Sequence, residues 1–325
     1  MPPPLPELAD SQNKFEDLSG INSSAYANPY DAMIEACDDN PAQLQARYST
    51  HRSTRNAQQK AKLLSPEFSG LIIDPILERL MDPSIEPGFK DFRYCLVFWA
   101  RPPAHIRSLV NKIQRELLTL APKLWLMPLP NLHLTTLELT HSLTQPEIDA
   151  IVSNLGKPTA EIMTDYTYSH KARLVKPMIS YDGAALALSF VPAAGELLPP
   201  KGTSDGVERT REDDGFTYHH LRRDLFNIAS KTGVSVDSRY VVPSSHITVG
   251  RFLTQDSHDT PEKMAAWIEK IEGLNKWLEQ EYWPREGGER REDGEWIVGQ
   301  ERGLDFREGT LWYGGGNTIR IGKGF

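Results

Sequence analysis

The apolar positions in the middle of the chain change from a continuous run to a helical spacing and then to two short runs. The run "FRYCLVFWA" predicts a buried strand, and the spacing of apolar residues between Pro103 and Leu120 predicts a helix. "LWLM" and "HLTTLEL" predict two short strands. "TQPEIDAIVSNLG" predicts a further helix, with Thr144 and Glu147 at capping-box spacing and Gly156 at its end.

The same order of elements is repeated in the second half of the chain. "GAALALSFVP" predicts a strand, the apolar positions from Tyr218 to Ala229 predict a helix ended by Gly233, and "RYVV" and "HITVGRFL" predict two strands. A helix follows from Thr260. The chain therefore contains a duplicated strand, helix, strand, strand, helix unit.

The last part of the chain predicts three closing strands, from "WIVG", "TLWY" and "TIRIG". The three glycines of "WYGGGNTIRIG" are not followed by the Gly-Lys-Ser/Thr of a nucleotide-binding loop. They predict a tight connection between two strands.

The N-terminal part of the chain, before the main domain, differs in composition from the segments described above. It is rich in proline and polar residues up to Asn28, which predicts a disordered tail, and "DAMIEACDD" and the following segment have helix-forming composition. "LIIDPILERLMD" adds a short helix. We treat residues 1–66 as an N-terminal extension and residues 67–325 as the main domain, with exposed charged insertions near 200–215 and 284–295.

The segment from Arg47 to Lys62 holds five Lys or Arg residues and no acidic residue. A basic helix of this kind predicts a solvated surface, with an RNA-contacting strip as the alternative.

Composition limits the possible function. The 325 residues carry 36 Lys plus Arg and 44 Asp plus Glu, a formal charge of -8, so no general positive field attracts long nucleic acids. Two cysteines fit a reducing compartment. The chain has no apolar run of bilayer-spanning length, and "MPPPLPELAD" lacks the features of a signal peptide. We expect an intracellular protein, cytoplasmic or nuclear, without membrane contact and monomeric by default.

The two copies share a motif at their last strand. "PNLHLT", which contains His133 and Thr135, aligns with "PSSHIT", which contains His246 and Thr248. Side chains alternate along a strand, so each His and its Thr face the same side, and Thr136 on the other face is left as packing. If the two copies pair as lobes, two imidazoles and two hydroxyls converge in one groove.

The bare His-x-Thr/Ser pattern has low specificity, because His51 and His258 also satisfy it in polar contexts. The alternative interpretation of His133 and His246 is a pair of core histidines with local hydroxyl partners. Arg251 lies three positions after Thr248, which on an ideal strand predicts the opposite face and a structural or rim role.

The four side chains suit displacement at phosphorus. This reaction needs a base for the attacking oxygen and an acid for the leaving oxygen, and histidine can take either role near neutral pH. Threonine hydroxyls can donate to the non-bridging oxygens. The arrangement requires no metal or other cofactor, and the sequence has no His-Glu-x-x-His or Cys-x-x-Cys motif.

From about Phe92 onward, "HLT" and "HIT" with their matching flanking elements resemble the two-histidine (2H) phosphoesterase superfamily, and in particular its fungal-type cyclic phosphodiesterases. The resemblance implies an α+β, bilobal, pseudo-symmetric fold of two antiparallel sheets with outer helices around a central cleft. It also implies metal-independent action on 2',3'-cyclic phosphates of RNA ends or nucleotides. His133 and His246 would be the catalytic pair, and Thr135 and Thr248 would bind the substrate phosphate.

Two alternatives stay open at this point. The groove could hold a nucleotide or RNA terminus without turnover, or the same chemistry could run in reverse and form a 2'-5' RNA bond.

Overall fold

The computed structural model describes residues 15–196, 210–285 and 291–325, which form a mixed α+β fold. The helices of the described part are α1 (Asp31–Ala36), α2 (Pro41–Leu63), α3 (Pro75–Met81), α4 (Ala104–Leu118), α5 (Gln145–Leu155), α6 (Lys157–Ser169), α7 (Tyr218–Ser230) and α8 (Pro261–Tyr282). Its strands are β1 (Tyr94–Ala100), β2 (Trp125–Leu126), β3 (Leu134–Leu143), β4 (Arg173–Tyr181), β5 (Ala185–Pro192), β6 (Ser245–Arg251), β7 (Trp296–Ile297), β8 (Asp305–Gly309) and β9 (Asn317–Ile321).

These strands form a single curled antiparallel sheet. Their order is β7-β4-β5-β6-β3-β1-β8-β9, and β2 pairs with β6 outside this path. Strands β6 and β3, at the middle of the order, meet at the pair Leu134 and Ile247. The α+β class with antiparallel strands is confirmed, but the strands are joined in one sheet where two sheets were expected.

Local sequence signals account for the helices that flank this sheet. The apolar stripe of α4 is buried, with Ile106, Val110, Ile113 and Leu117 fully enclosed. The capping box of α5 is formed by Thr144 and Glu147 as predicted from their spacing. The predicted helices and the strands from "FRYCLVFWA", "GAALALSFVP" and "HITVGRFL" are therefore confirmed.

Two predicted strands are wrong. "RYVV" at 239–242 is a loop whose backbone is bound by side chains: Glu138 accepts from the Arg239 amide, and Arg222 donates to the Val242 carbonyl. "TLWY" at 310–313 belongs to the turn between β8 and β9, so the glycine-rich segment is a strand connection as predicted. Gly316 has φ 73°, and a Cβ there would lie 2.4 Å from the Glu308 carbonyl oxygen.

Three elements carry no assignment in the sequence analysis, namely α6, β4 and β8. Strand β4 lies between β5 and β7, and β8 lies between β1 and β9. The sequence of β4, "RLVKPMISY", contains a proline and a lysine near its middle, and a proline within a run argues against a strand.

The N-terminal segment packs on the rest of the fold from residue 15 onward. Ser19 and Asn28 are buried, and Asn28 donates to the Arg223 carbonyl oxygen in α7. The prediction of a disordered tail up to Asn28 is therefore wrong for residues 15–28, while residues 1–14 lie outside the described part. Residues 200–209 of the first charged insertion and 286–290 of the second lie outside it as well.

Helix α2 is a solvated basic face only toward its C-terminal end, where Lys62 is exposed. It packs against β4 and β5, and its Arg52 is buried and donates to the Lys176 carbonyl oxygen. Arg55 of the same helix forms an ion pair with Asp182. The extension therefore contributes side chains to the body of the fold. Within the described residues no helix has the length and apolar character needed to cross a bilayer.

Candidate active site

The two His-x-Thr motifs meet at the junction between β3 and β6. Leu134 and Ile247, the middle residues of the motifs, are cross-strand partners and are fully buried. The flanking side chains point to the opposite face of the sheet. Because the strands are antiparallel, this register places His133 alongside Thr248 and Thr135 alongside His246.

One cavity of about 40 Å³ is lined by both motifs. His133, Thr135, His246 and Thr248 all contribute to its wall. All four predicted site residues are therefore brought together at one cavity wall, and each is half-buried.

His133 is held on one nitrogen and on one ring face. Its Nδ1 lies 2.8 Å from the carbonyl oxygen of Asn131, which can only accept, so Nδ1 carries the proton. Its ring stacks on Trp99, with centroids 3.7 Å apart and planes 14° from parallel. The free nitrogen of neutral His133 is therefore Nε2, which can accept a proton.

The surroundings of His133 carry positive charge. Arg101 donates to the same Asn131 oxygen at 3.2 Å and is paired with Asp305 at 2.7 Å. Burial, with the nearby charges of Arg101 and Arg307, lowers the pKa of His133 to about 3, against the opposing effect of its backbone hydrogen bond.

His246 has a different partner. Its Nδ1 lies 2.9 Å from the Ser244 hydroxyl oxygen, which can donate or accept, so either tautomer is compatible with this contact. Burial, with the charges of Arg55, Arg222 and Arg251, lowers the pKa of His246 to about 4. Without a ligand both histidines are neutral at pH 7, and a bound anionic phosphate would raise the pKa of each.

A bulge brings Arg251 to this site, so its predicted position on the opposite face is wrong. The pairing of β6 with β5 contains a bulge between Thr248 and Gly250, where β6 has one residue more than its partner. Beyond it Arg251 pairs with Ala185, which faces the same side of β5 as Ala187, the partner of Thr248. Arg251 accordingly lines the cavity with the histidines.

Strand β2 lies close to β6 next to this bulge, where Leu126 pairs with Gly250. A Cβ at Gly250 would lie 2.7 Å from the carbonyl oxygen of Trp125 in β2, so glycine is required where the two backbones approach.

A second bulge, in the pairing of β3 with β1, acts in the same way on Glu138. Trp99 pairs with Thr135, but Val97 pairs with Glu138, so the cavity face contains Thr135 and Glu138 three positions apart. Glu138 binds Arg239 at 2.6 Å, and both side chains line the cavity. Strict alternation of side chains along the strand would place Glu138 on the face opposite Thr135, so the sequence alone does not identify it as a cavity residue. No local sequence signal marks either bulge.

The other histidines are not part of this cavity. His51 and His258, which satisfy the bare motif in polar sequence contexts, are both buried. His219 and His220 lie in α7, and both are buried. His219 contacts the Tyr48 hydroxyl and the Tyr30 carbonyl oxygen.

Among the residues that the structure describes, no cluster of three or more His, Cys, Asp or Glu side chains could hold a metal ion.

No protein family model matches the sequence, and no match was found among curated proteins.

Proposed function

We propose that this protein opens 2',3'-cyclic phosphates, on RNA ends or on nucleotides, by acid-base catalysis with His133 and His246. The observation that carries the proposal is the convergence of both imidazoles and both threonine hydroxyls on one cavity. A core role alone would not require the two motifs to face the same accessible space.

In the proposed reaction a water molecule attacks phosphorus and a ribose oxygen leaves from the opposite side. One neutral histidine accepts a proton from the water as the new phosphorus-oxygen bond forms. The other histidine, in its protonated form, donates its proton to the ribose oxygen as that bond breaks. The product is a nucleoside phosphate monoester, and the second histidine recovers its proton from the first through solvent.

The remaining groups of the cavity stabilise the phosphate. Thr135 and Thr248 donate to its non-bridging oxygens, and Arg251 supplies positive charge on the same face. Bound between the histidines, the anion raises their pKa values, which supplies the protonated acid that the free protein holds only in small amount near pH 7.

We also propose that the two halves of the sheet act as pseudo-symmetric lobes around this cavity. The strand order supports this, since β1 and β5, the first strands of the two repeated units, lie at matching places beside β3 and β6.

Phosphorus NMR tests the proposal directly. Wild-type protein should convert adenosine 2',3'-cyclic phosphate and a short RNA with a cyclic phosphate end to monoesters in the presence of EDTA. His133→Ala and His246→Ala should each lower turnover by about 10²- to 10⁴-fold. His170→Ala is a matched control, because His170 lies at the end of α6 outside the cavity.

Wild-type turnover in folded His133→Ala or His246→Ala would contradict the proposal. Binding of the cyclic nucleotide without turnover would favour a binding module. Joining of the cyclic phosphate end to a 5'-hydroxyl RNA would favour ligation.

A further inference from the structure

We propose that a second cavity, continuous with the first on the His246 side, binds the nucleoside of the substrate and that the N-terminal extension forms part of its wall. This inference rests on the proposed function, and it adds where the nucleoside lies and which residues select it.

The two cavities share Tyr240, His246, Thr248, Arg251 and Trp312. A molecule whose phosphate contacts His246 can therefore extend directly from one into the other. The second cavity has a volume of about 120 Å³, compared with about 40 Å³ for the first. The smaller space is suited to the phosphate, and the larger one to the group attached to it.

The lining of the larger cavity has the mixed character that a nucleoside requires. Aromatic side chains, including Phe15 and Tyr240, offer ring faces against which a base can stack. The hydroxyls of Ser180 and Ser244 lie in the same wall, where the ring oxygen and the 5'-hydroxyl of the ribose, which the cyclic phosphate leaves free, can bond to them.

An arginine of the extension adds a fixed hydrogen-bonding group. Arg55 of α2 lines this cavity and is held by Asp182 at 2.6 Å, and Asp182 itself accepts from the Ala184 and Ala185 amides. The ion pair thus presents a donor and an acceptor in defined positions, which suits the edge of a base. Phe15, also from the extension, packs beside Tyr240 with ring centroids 5.1 Å apart.

The floor of the cavity offers a position for a steric test. Ala185 lies on β5 and lines the cavity, and it pairs with Arg251, two positions along from the pair formed by Ala187 and Thr248. A larger side chain at 185 therefore fills space in the larger cavity beside Arg251, and it leaves the residues of the two histidine motifs unchanged.

The experiment compares two substrates that share the reacting group and differ in the nucleoside. These are adenosine 2',3'-cyclic phosphate and glycerol 1,2-cyclic phosphate. Ala185→Leu should lower the ratio of kcat/KM for the adenosine compound to kcat/KM for the glycerol compound by about 10-fold or more. The reason is that the larger side chain competes with the nucleoside for space. Ala266→Leu, the same change at an exposed position of α8, should leave the ratio unchanged.

A second pair of variants tests the extension itself and covers the case in which Ala185→Leu does not fold. Arg55→Gln should lower the same ratio, since it removes the guanidinium from the wall. Lys60→Gln removes a positive charge from the same helix at an exposed ion pair with Glu272, and it should leave the ratio unchanged. The ratio cancels any effect of these changes on the chemical step.

Failure of the subsite and failure of the proposed function are separable. If wild-type protein hydrolyses both substrates and neither Ala185→Leu nor Arg55→Gln changes the ratio, the nucleoside subsite is overturned while the activity stands. If wild-type protein hydrolyses neither substrate, calorimetry with adenosine 2'-monophosphate and with inorganic phosphate decides. Tighter binding of the nucleotide that is weakened by Ala185→Leu supports the subsite, and equal or no binding overturns it.

Discussion

The rings of His133 and Trp99 lie stacked with their centroids 3.7 Å apart, at the point where β1 pairs with β3. Trp99 is almost fully buried, and the guanidinium groups of Arg101 and Arg307 lie 4.8 Å and 5.1 Å from its ring. The indole therefore fixes the plane of the imidazole, while Asn131 fixes its tautomer.

Truncation of this indole should affect activity and stability together. Trp99→Ala should lower the free energy of unfolding by about 3–5 kcal/mol through the cavity it leaves, and it should lower kcat because His133 loses its supporting ring. Trp99→Phe keeps an aromatic face and should retain more of both. Urea unfolding and steady-state kinetics measure the two effects, and equal kcat values for the two variants would contradict a positioning role.

The pH dependence of kcat/KM should have its maximum on the acidic side of neutrality. The pKa values of His133 and His246 in the free protein are lowered to about 3 and about 4, so the protonated fraction of the acid falls as pH rises above these values. The maximum in kcat should lie at higher pH, since bound phosphate raises both pKa values. A kcat/KM maximum above pH 7 would be inconsistent with this expectation.

Removal of one positive charge should shift the titration of His133. Arg101→Gln takes away a charge that lowers the pKa of His133, so this pKa should rise, while Asp305 keeps its second partner Arg302. Proton NMR of the imidazole signals measures the shift. Arg107→Gln is the matched control, because Arg107 pairs with Glu301 at a partly exposed position. The pKa of His133 should differ between the Arg101→Gln and Arg107→Gln variants, and equal values would contradict the prediction.

Adjacent threonines should respond differently to the same substitution. Thr135 lines the cavity, whereas Thr136 is fully buried on the other side of β3. Thr135→Val should lower kcat/KM by about 10- to 10³-fold through the loss of a donor to the phosphate. Thr136→Val keeps the shape of the side chain and should leave kcat/KM within a few-fold of wild type. A comparable loss in both variants would argue against a phosphate-binding role for Thr135.

Stability should fall in mild acid because of buried neutral histidines. In His219, Nε2 donates to the Tyr30 carbonyl oxygen and Nδ1 accepts from Tyr48, and burial with the charge of Arg222 lowers its pKa to about 3. The unfolded chain binds this proton below its ordinary pKa of 6.5, whereas the folded protein does not bind it until about 3. The stabilisation is complete above pH 6.5 and is lost as pH falls toward 3.

Denaturant melts at pH 7.5, 6 and 5 measure this loss, which for one such histidine is at most about 1.4 kcal/mol per pH unit. His219→Gln should make the pH dependence shallower. An unchanged slope in this variant would show that His219 titrates normally in the folded protein.

The sequence by itself determined the elements whose signals are local. The spacing of apolar residues placed α4 and α8, Thr144 and Glu147 placed the start of α5, and the two motifs are short enough for strand alternation to assign His and Thr to one face. These features depend on neighbours within a few positions, so they can be predicted from adjacent residues.

The tertiary structure decided everything that depends on a partner strand or a distant segment. The bulges in β3 and β6 arise in the pairing of these strands with β1 and β5. They bring Glu138 and Arg251 to the face of the histidines, where strict alternation of side chains would not place them. The packing of Trp99 on His133, and of Arg55 in the cavity beyond His246, joins residues far apart in the chain. Side-chain periodicity holds only while the register is unbroken, and the register is set by non-local backbone hydrogen bonds.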